Sequence, residues 1–520
     1  MNRNLVAALT LGLFAFSSLS AAQSRPRLTE TQKALQVLNR LAFGPRPGDV
    51  ERVQKIGIAR YVEQQLHPEA IDNAATETLL AAFPSISMDP AELNAKYVQP
   101  KMLATELGMT SDSIDRQGIN QAMKKRGLNP QQKLLQELQG QKLVRAVASE
   151  RQLEEVMTDF WFNHFNVFWG KGADKQLTTA HEMTVIRPNV LGKFRDLLVA
   201  TAKSPAMLFY LDNALSSTPN PRAQRPALAK AGRQAGINEN YARELMELHT
   251  LGVDGGYTQK DVQEVARAFT GWTLDRGQSF SFVFRPAMHD QGEKVVLGQR
   301  VNAGGIRDGE AVIDILVHHP STAKFVATKL VRRFVSDNPP DSLVDRVASV
   351  FTRTDGDIRE MLRTIFAADE FFSVDAYRAK TKSPFELAAS AIRALGAQTD
   401  RSPRMSQEIA KMGQPLYQYQ APTGFPDRAA QWMSSGSLME RINFAVALSS
   451  NRIPGTKVAF PRSDGGTTEE AVKRAIDAVL GGDVSEQTRR VLQSQLRESP
   501  DSPMMKAFAL ALGSPEFQKR

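Results

Sequence analysis

Forty consecutive residues, Gly236 to Asp275, hold the densest set of reactive side chains in this chain: GINENYARELMELHTLGVDGGYTQKDVQEVARAFTGWTLD. At about 100° per residue, Asn240, Arg243, Glu244 and Glu247 share one helical face, and Tyr241, Ala242, Leu245, Met246 and Leu248 take the other. Carboxylates so placed perform general acid/base catalysis when burial raises a pKa, or hold an oxygen-liking divalent cation. Glu244 is then the acid/base group or ligand, Glu247 its partner and Arg243 the anchor for an anionic group. A plainer reading competes, because Glu239 and Glu247 each stand four residues from Arg243 and would pair with it on a solvated face. His249 projects about 140° away from Glu244 on an ideal helix and suits a cap on the carbonyl end.

Two further stretches carry polar groups in apolar company. Asp159 to Trp169 (DFWFNHFNVFW) has six aromatic rings in eleven residues and must be buried nearly all round. Asp159, Asn163 and Asn166 fall on one face there, with His164 nearby. They form either an ordering hydrogen-bond network or the wall of a pocket, since a buried polar group without a partner costs about 1 to 3 kcal/mol. Asn163, His164, Asp212, Asn240, Arg243 and Lys294 are accordingly the substrate-binding candidates. His289 and Asp290, expected at a hairpin tip with Lys294 just beyond, join Glu244 and Glu247 as catalytic candidates; the bland alternative is a surface turn capped by its own Asp.

The elements that must position these groups are helical. Asn238 reads as an N-cap, Gly252 as a left-handed stop, and Thr258 with Asp261 as a capping box opening a helix whose apolar stripe is Val262, Val265, Ala266 and Phe269. Three- and four-residue apolar spacing recurs from Thr29 onward, giving a mainly α, multi-helical globular protein. The period changes only at Ser279 to Phe284 and Lys294 to Gly298, read as one small β-hairpin near 279–298. Residues 23–131 form an N-terminal, loop-rich helical region, 132–335 a central domain with the hairpin and candidate site, and 336–520 a C-terminal helical region. Lys324, Lys329, Arg332 and Arg333 gather on one helix, and GQPLYQYQAPTGFP (413–426) is too rich in Tyr, Phe and Pro to stand in water, so it packs over the central region and lines a cleft. Ser216 to Gly236 is an exposed loop, serving as a lid or as a plain tether.

The string NENYARELMELHTLGVDGGYTQKDVQEVARAFTGW closely resembles the central signature of the bacterial secreted family catalogued as domain of unknown function 1800. LNRLAFGPRPGDV, FWFNHFNVF, FYLDN, HDQGEKVVLG, HHPSTAKFVATKLVRRFVSDNPP, SPFELAASAIRALGA and GQPLYQYQAPTGFPDRAAQW resemble the same family, in its order, across Leu38 to Phe517. The resemblance implies no established activity. It does imply a pathway shared with secreted phosphatase-like proteins, beside which such members occur.

Arg3, the apolar run Leu5 to Leu19 and Ser20-Ala21-Ala22 have the layout of a signal peptide over residues 1–22, so an exported, periplasmic or extracellular protein with no transmembrane helix after cleavage is expected. The absence of cysteine excludes disulfides, thiolate sites and covalent haem. Losing Arg3 leaves 64 basic against 56 acidic residues, scattered rather than in runs beside aromatics, which disfavours nucleic acid and allows anionic envelope polymers. There is no HExxH, GxSxG, Walker loop, dinucleotide fingerprint or EF-hand, so neither ATP nor NAD is expected. Seven histidines permit axial haem ligation, but nothing demands it. What remains is a hydrolase or lyase acting on an envelope or extracellular polysaccharide, by acid/base or metal-assisted chemistry. The alternative is a non-catalytic envelope binding or assembly factor working with a phosphatase-like partner.

Overall fold

The aromatic run lies where its composition demands, inside. In the computed structural model, which describes residues 27–108, 116–218, 236–275, 279–400, 402–460, 467–498 and 502–520, it ends the helix Gln152–His164. Phe160, Trp161, Phe162, Phe165 and Trp169 are all buried, while Phe168 is half-buried. The signal-peptide reading at 1–22, and positions 219–235 of the loop read as a lid or tether, lie outside the described residues.

The protein is mainly α-helical. The main apolar cluster runs from Ala34 to Phe517 but skips the segment between Leu66 and Leu135, whose buried residues, such as Leu103 with Met123 and Leu93 with Tyr97, form small clusters of their own. Among the described residues no helix is long and apolar enough to cross a membrane.

Three helices and a loop build the part that matters for chemistry. Gln131–Ala148 is buried on almost every side, and Gln152–His164 packs against it. Pro320–Phe334 begins with proline, whose missing N–H costs nothing at a helix start, and turns Ala323, Val326, Ala327, Leu330 and Val331 inward. Lys329 and Arg333, four residues apart, therefore share one flank. The loop 413–426 crosses the aromatic helix so closely that a Cβ at Gly424 (φ +69°) would collide with the Asn163 carbonyl.

The organising stretch is helical as its caps indicate, with one change. The α-helix Asn240–Glu244 widens into a π-turn, Leu245–Thr250, before Gly252 stops it at φ +82°. The Thr258–Asp261 capping box is complete, and Val262, Val265, Ala266 and Phe269 are fully buried. The N-cap is Glu239, which makes no side-chain cap bond; Asn238, read as the cap, lies one residue earlier, and its Oδ1 accepts from the Asn240 amide at 2.9 Å.

The hairpin expected near 279–298 divides. Phe282–Phe284 pairs antiparallel with Trp272–Leu274, and Lys294–Val296 pairs with Gln299–Val301. Buried Trp272, stacked edge-on against Phe282 and Phe269, captures the first strand, an interaction that local periodicity does not encode. His289 and Asp290 consequently sit between two small sheets instead of at a tip.

Candidate functional site

The face of the aromatic helix that bears Asp159 and Asn163, with Asn166 just past the helix end, opens onto a hollow of about 90 Å³. That is room for about three waters or one small anion, and less than the roughly 150 Å³ that holds a benzene-sized ring. Its roof is the 413–426 loop, fixed by reciprocal bonds. Asn163 Nδ2 donates to the Phe425 carbonyl at 2.9 Å while its Oδ1 accepts from the Phe425 amide at 2.7 Å. Asn166 Nδ2 donates to the carbonyls of Tyr419 and Ala421, and the Tyr210 hydroxyl donates to that of Gln420 at 2.6 Å. Tyr417, held at φ +64° and donating its hydroxyl to Glu182 at 2.6 Å, forms the back wall with Phe162. Phe425 and Trp432 stand at the other side.

Cations dominate the lining. Lys142, Lys329, Arg333, Lys380 and Arg520 face it, against Asp159, Glu386 and Asp427. Lys142 pairs with Asp159 at 2.8 Å and lies over the rings of Phe162, Phe385 and Tyr417. Burial alone would lower its pKa, yet Asp159 and Glu182 outweigh that and raise it, so Lys142 stays charged. Lys329 pairs with Asp427 at 3.0 Å, and Lys380 with Asp337 behind the wall. Arg333 and Arg520 share one oxygen of Glu386, at 2.8 and 3.2 Å. Burial lowers the pKa of Lys380, and Arg40 and Arg333 add to the fall, although Asp337 opposes it. Arg40, fully buried behind the site, is driven down to about 9 by burial and then by Arg333.

Of the candidates named from sequence, Asn163 lines this hollow; the rest fall into three other places. His289, Lys294 and Asp308 form a sealed knot with no side-chain exposure. His289 Nε2 meets Asp308 Oδ2 at 3.0 Å, its Nδ1 meets the Thr270 carbonyl at 2.7 Å, and Lys294 Nζ donates to Asp308 at 2.6 Å. Every polar atom of the imidazole is thus engaged. Asp290, next door, takes a two-pronged bond from Arg267 at 3.0 Å on each oxygen. Burial would raise its pKa, but Arg267 and the Gly292 amide hold it below the usual carboxylate value.

The second place is the Glu244 face. Arg243 lies 3.4 Å from Glu239, 3.5 Å from Glu247 and 2.8 Å from Gln259, the paired arrangement of a solvated helix surface. Glu244 differs from these: burial, reinforced by Glu247 and opposed by Arg243, raises its pKa. Asn240 is exposed and reaches the Leu211 carbonyl only at 3.4 Å. Asp212, in a left-handed conformation, pairs with Lys171 at 2.9 Å. Beside them Asp174 is wholly buried with no protein donor to either oxygen; burial, with Asp212 adding and Lys171 opposing, raises its pKa well above the ordinary value.

The third place is the core itself. His164 points to the far side of the aromatic helix, where Nε2 meets the His249 carbonyl at 3.1 Å and Nδ1 has no protein partner. His249 is buried rather than capping in water, 5.0 Å from the Phe165 ring and 6.0 Å from that of His164. Burial, then the charge of Lys329 and the neighbouring ring, holds His164 well below its ordinary pKa. Burial takes His249 down to about 3.

Sequence reasoning flagged Asp159, the Lys329–Arg333 group and the 413–426 loop separately, and these three converge. It missed Lys142, Lys380, Glu386 and Arg520. Nothing local distinguishes a lysine in LQGQKLVRAV from a solvated one, and only the fold brings it over three rings. Among the described residues no group of three or more His, Asp or Glu is arranged to hold a metal ion.

These features define a mainly α-helical protein with one main core, small satellite clusters and a cation-rich, aromatic-walled hollow. Residues 36–519 match the model of the family described as Protein of unknown function (DUF1800), and the chain belongs to that family. No curated protein and no solved structure matches it.

Proposed function

We propose that this is an exported protein that binds an acidic glycan of the cell envelope or its surroundings, taking the charged substituent of one sugar unit into the hollow beneath the 413–426 loop. The observation that carries the reading is the excess of cations over carboxylates in a cavity walled by Tyr417, Phe425, Phe162 and Trp432. Aromatic rings offer flat apolar surface to a sugar, and buried cations select the charged one, because a neutral sugar leaves their charge uncompensated. The site is built for retention. Its loop is pinned by Asn163 and Asn166, and its acids, Asp159, Glu386 and Asp427, are each engaged by a cation. Titration calorimetry with matched acidic and neutral oligosaccharides tests this: the acidic ones bind, and Lys329→Ala weakens them at least fivefold. Equal affinity for neutral and acidic sugars contradicts it.

A second reading, polysaccharide hydrolysis or elimination, is favoured by Glu244, whose pKa is raised by burial and by Glu247, the direction that a proton-donating carboxyl requires. Its test is chain cleavage measured by new reducing ends or unsaturated products. Under this reading Glu244→Gln abolishes cleavage without shifting the melting temperature by more than a few degrees; unchanged cleavage removes Glu244 from the chemistry.

A further inference from the structure

The charges around the hollow do not cancel. Five cations line it. Three carboxylates line it with them, and Asp337 behind Lys380 makes a fourth, which leaves one positive charge over. Arg40 and Arg332 lie close enough to feel these groups and add to the excess, while buried Glu182 behind Lys142 offsets one of them. Such crowding is unfavourable in a low-dielectric site unless an anion joins it.

The hydrogen-bond inventory points to where that anion belongs. Arg333 gives one nitrogen to Glu386 Oε1 at 2.8 Å, and Arg520 approaches the same oxygen through Nε at 3.2 Å, poorly aligned for a hydrogen bond. Arg333 Nη1 and Arg520 Nη1 are both buried and have no protein acceptor. The side chains are 12% and 6% exposed, and both residues line the cavity. A guanidinium N–H deprived of water and left without an acceptor is costly, and two guanidinium groups held on one carboxylate, each with a nitrogen unused, suit the paired oxygens of a further carboxylate, sulfate or phosphate. Glu386 ties the two groups together by charge, and the Arg520 backbone exchanges hydrogen bonds with Lys380, donating its amide at 2.7 Å and accepting at 3.2 Å.

We infer that Arg333 and Arg520, bridged by Glu386, form a subsite for a single oxyanion at the wall of the hollow. Resting on the glycan reading above, it identifies the group recognised as the charged substituent of the sugar, a carboxylate or a sulfate ester. One anion would offset part of the excess charge and supply both arginines with acceptors. The aromatic side of the cavity is left to meet the ring that bears it.

The subsite is tested with the full chain and small anions at constant ionic strength, replacing chloride by sulfate, phosphate or glucuronate and following the melting temperature and calorimetric heat. At least one of the three stabilises the protein saturably at millimolar concentration or below. Arg333→Lys, which keeps the charge and loses the fork, weakens that anion about tenfold, as does Arg520→Lys, while exposed Arg300→Gln leaves it unchanged. A preference for glucuronate over sulfate and phosphate assigns the substituent as a carboxylate, and the reverse order assigns an ester. No saturable effect beyond chloride from any of the three, or equal affinity in both lysine variants, overturns the subsite. Acidic oligosaccharide binding that survives both lysine variants sinks the subsite alone; small-anion binding without oligosaccharide binding sinks the glycan reading alone.

Discussion

Two buried clusters of charge in this protein are built on opposite principles. Around Asp308, one carboxylate accepts from Lys294, His289 and the Gly304 amide, with no side-chain exposure in the lysine, the imidazole or the aspartate. Around Glu386, one carboxylate serves two arginines that keep unused N–H groups beside a cavity. The first is a closed account of donors and acceptors that locks the small sheets onto the helix beginning at Ile306. The second is incomplete within the chain, and incompleteness next to open space is what a ligand site requires. A His-Asp-Lys grouping is therefore not evidence of catalysis, because the decisive property is whether the set is satisfied.

The sharpest way to break this contrast is Asp308→Ala. It strands a buried lysine and imidazole together, and a destabilisation of about 3 to 5 kcal/mol is expected in chemical denaturation. A loss under 1 kcal/mol would mean that the knot is not the lock described. Acid titration comes next. His164, His181 and His249 are held below their ordinary value by burial, with His181 near 4 and His249 near 3. Above about pH 6.5 they are neutral both folded and unfolded and their contribution to stability is flat; below it the unfolded chain alone takes up protons, so that contribution falls by as much as about 1.4 kcal/mol per pH unit for each histidine. The fall for His181 continues until pH approaches 4 and for His249 until about 3. A stability curve flat from pH 6.5 to 4.5 would contradict their burial.

Asn163→Ala removes both bonds to Phe425, and a stability loss of about 1 to 3 kcal/mol is expected together with weakened binding, since the roof of the hollow loses its pin. Loss of stability with unchanged affinity for acidic oligosaccharide would separate the loop from recognition. The smallest effect belongs to Arg243→Ala. Its pairs with Glu239 and Glu247 are long and partly exposed, worth about 0.5 kcal/mol or less, and binding in the hollow is unaffected. A large effect on either would return the Glu244 face to prominence.

What was legible in the sequence was local. The Thr258–Asp261 box, the Gly252 stop and the Val262–Phe269 stripe depend on residues within one or two turns, and they stand as read. The six-ring stretch announced its own burial. The 413–426 loop announced by composition that something must cover it, and the aromatic helix does. Strand pairing was not legible, because Phe282–Phe284 chooses Trp272–Leu274 through packing on a core remote from both turns. Nor was the hollow, since Lys142, Lys329, Arg333, Lys380 and Arg520 come from separate segments and each alone looks like a solvated charge. The dense polar face at Arg243 attracted notice for the reason that makes it ordinary: charges spaced four apart on a helix mainly pair with one another.

The central claim is that the hollow, not the Glu244 face or the His289 knot, takes the ligand, and that it selects negative charge. Crystallography or crosslinking of the protein with an acidic oligosaccharide tests it most directly. The account predicts the charged substituent within hydrogen-bond distance of Arg333 and Arg520 and the sugar ring against Tyr417, Phe425 or Trp432. An acidic oligosaccharide seated instead along Arg243 and Glu244, with the hollow unchanged, would contradict it.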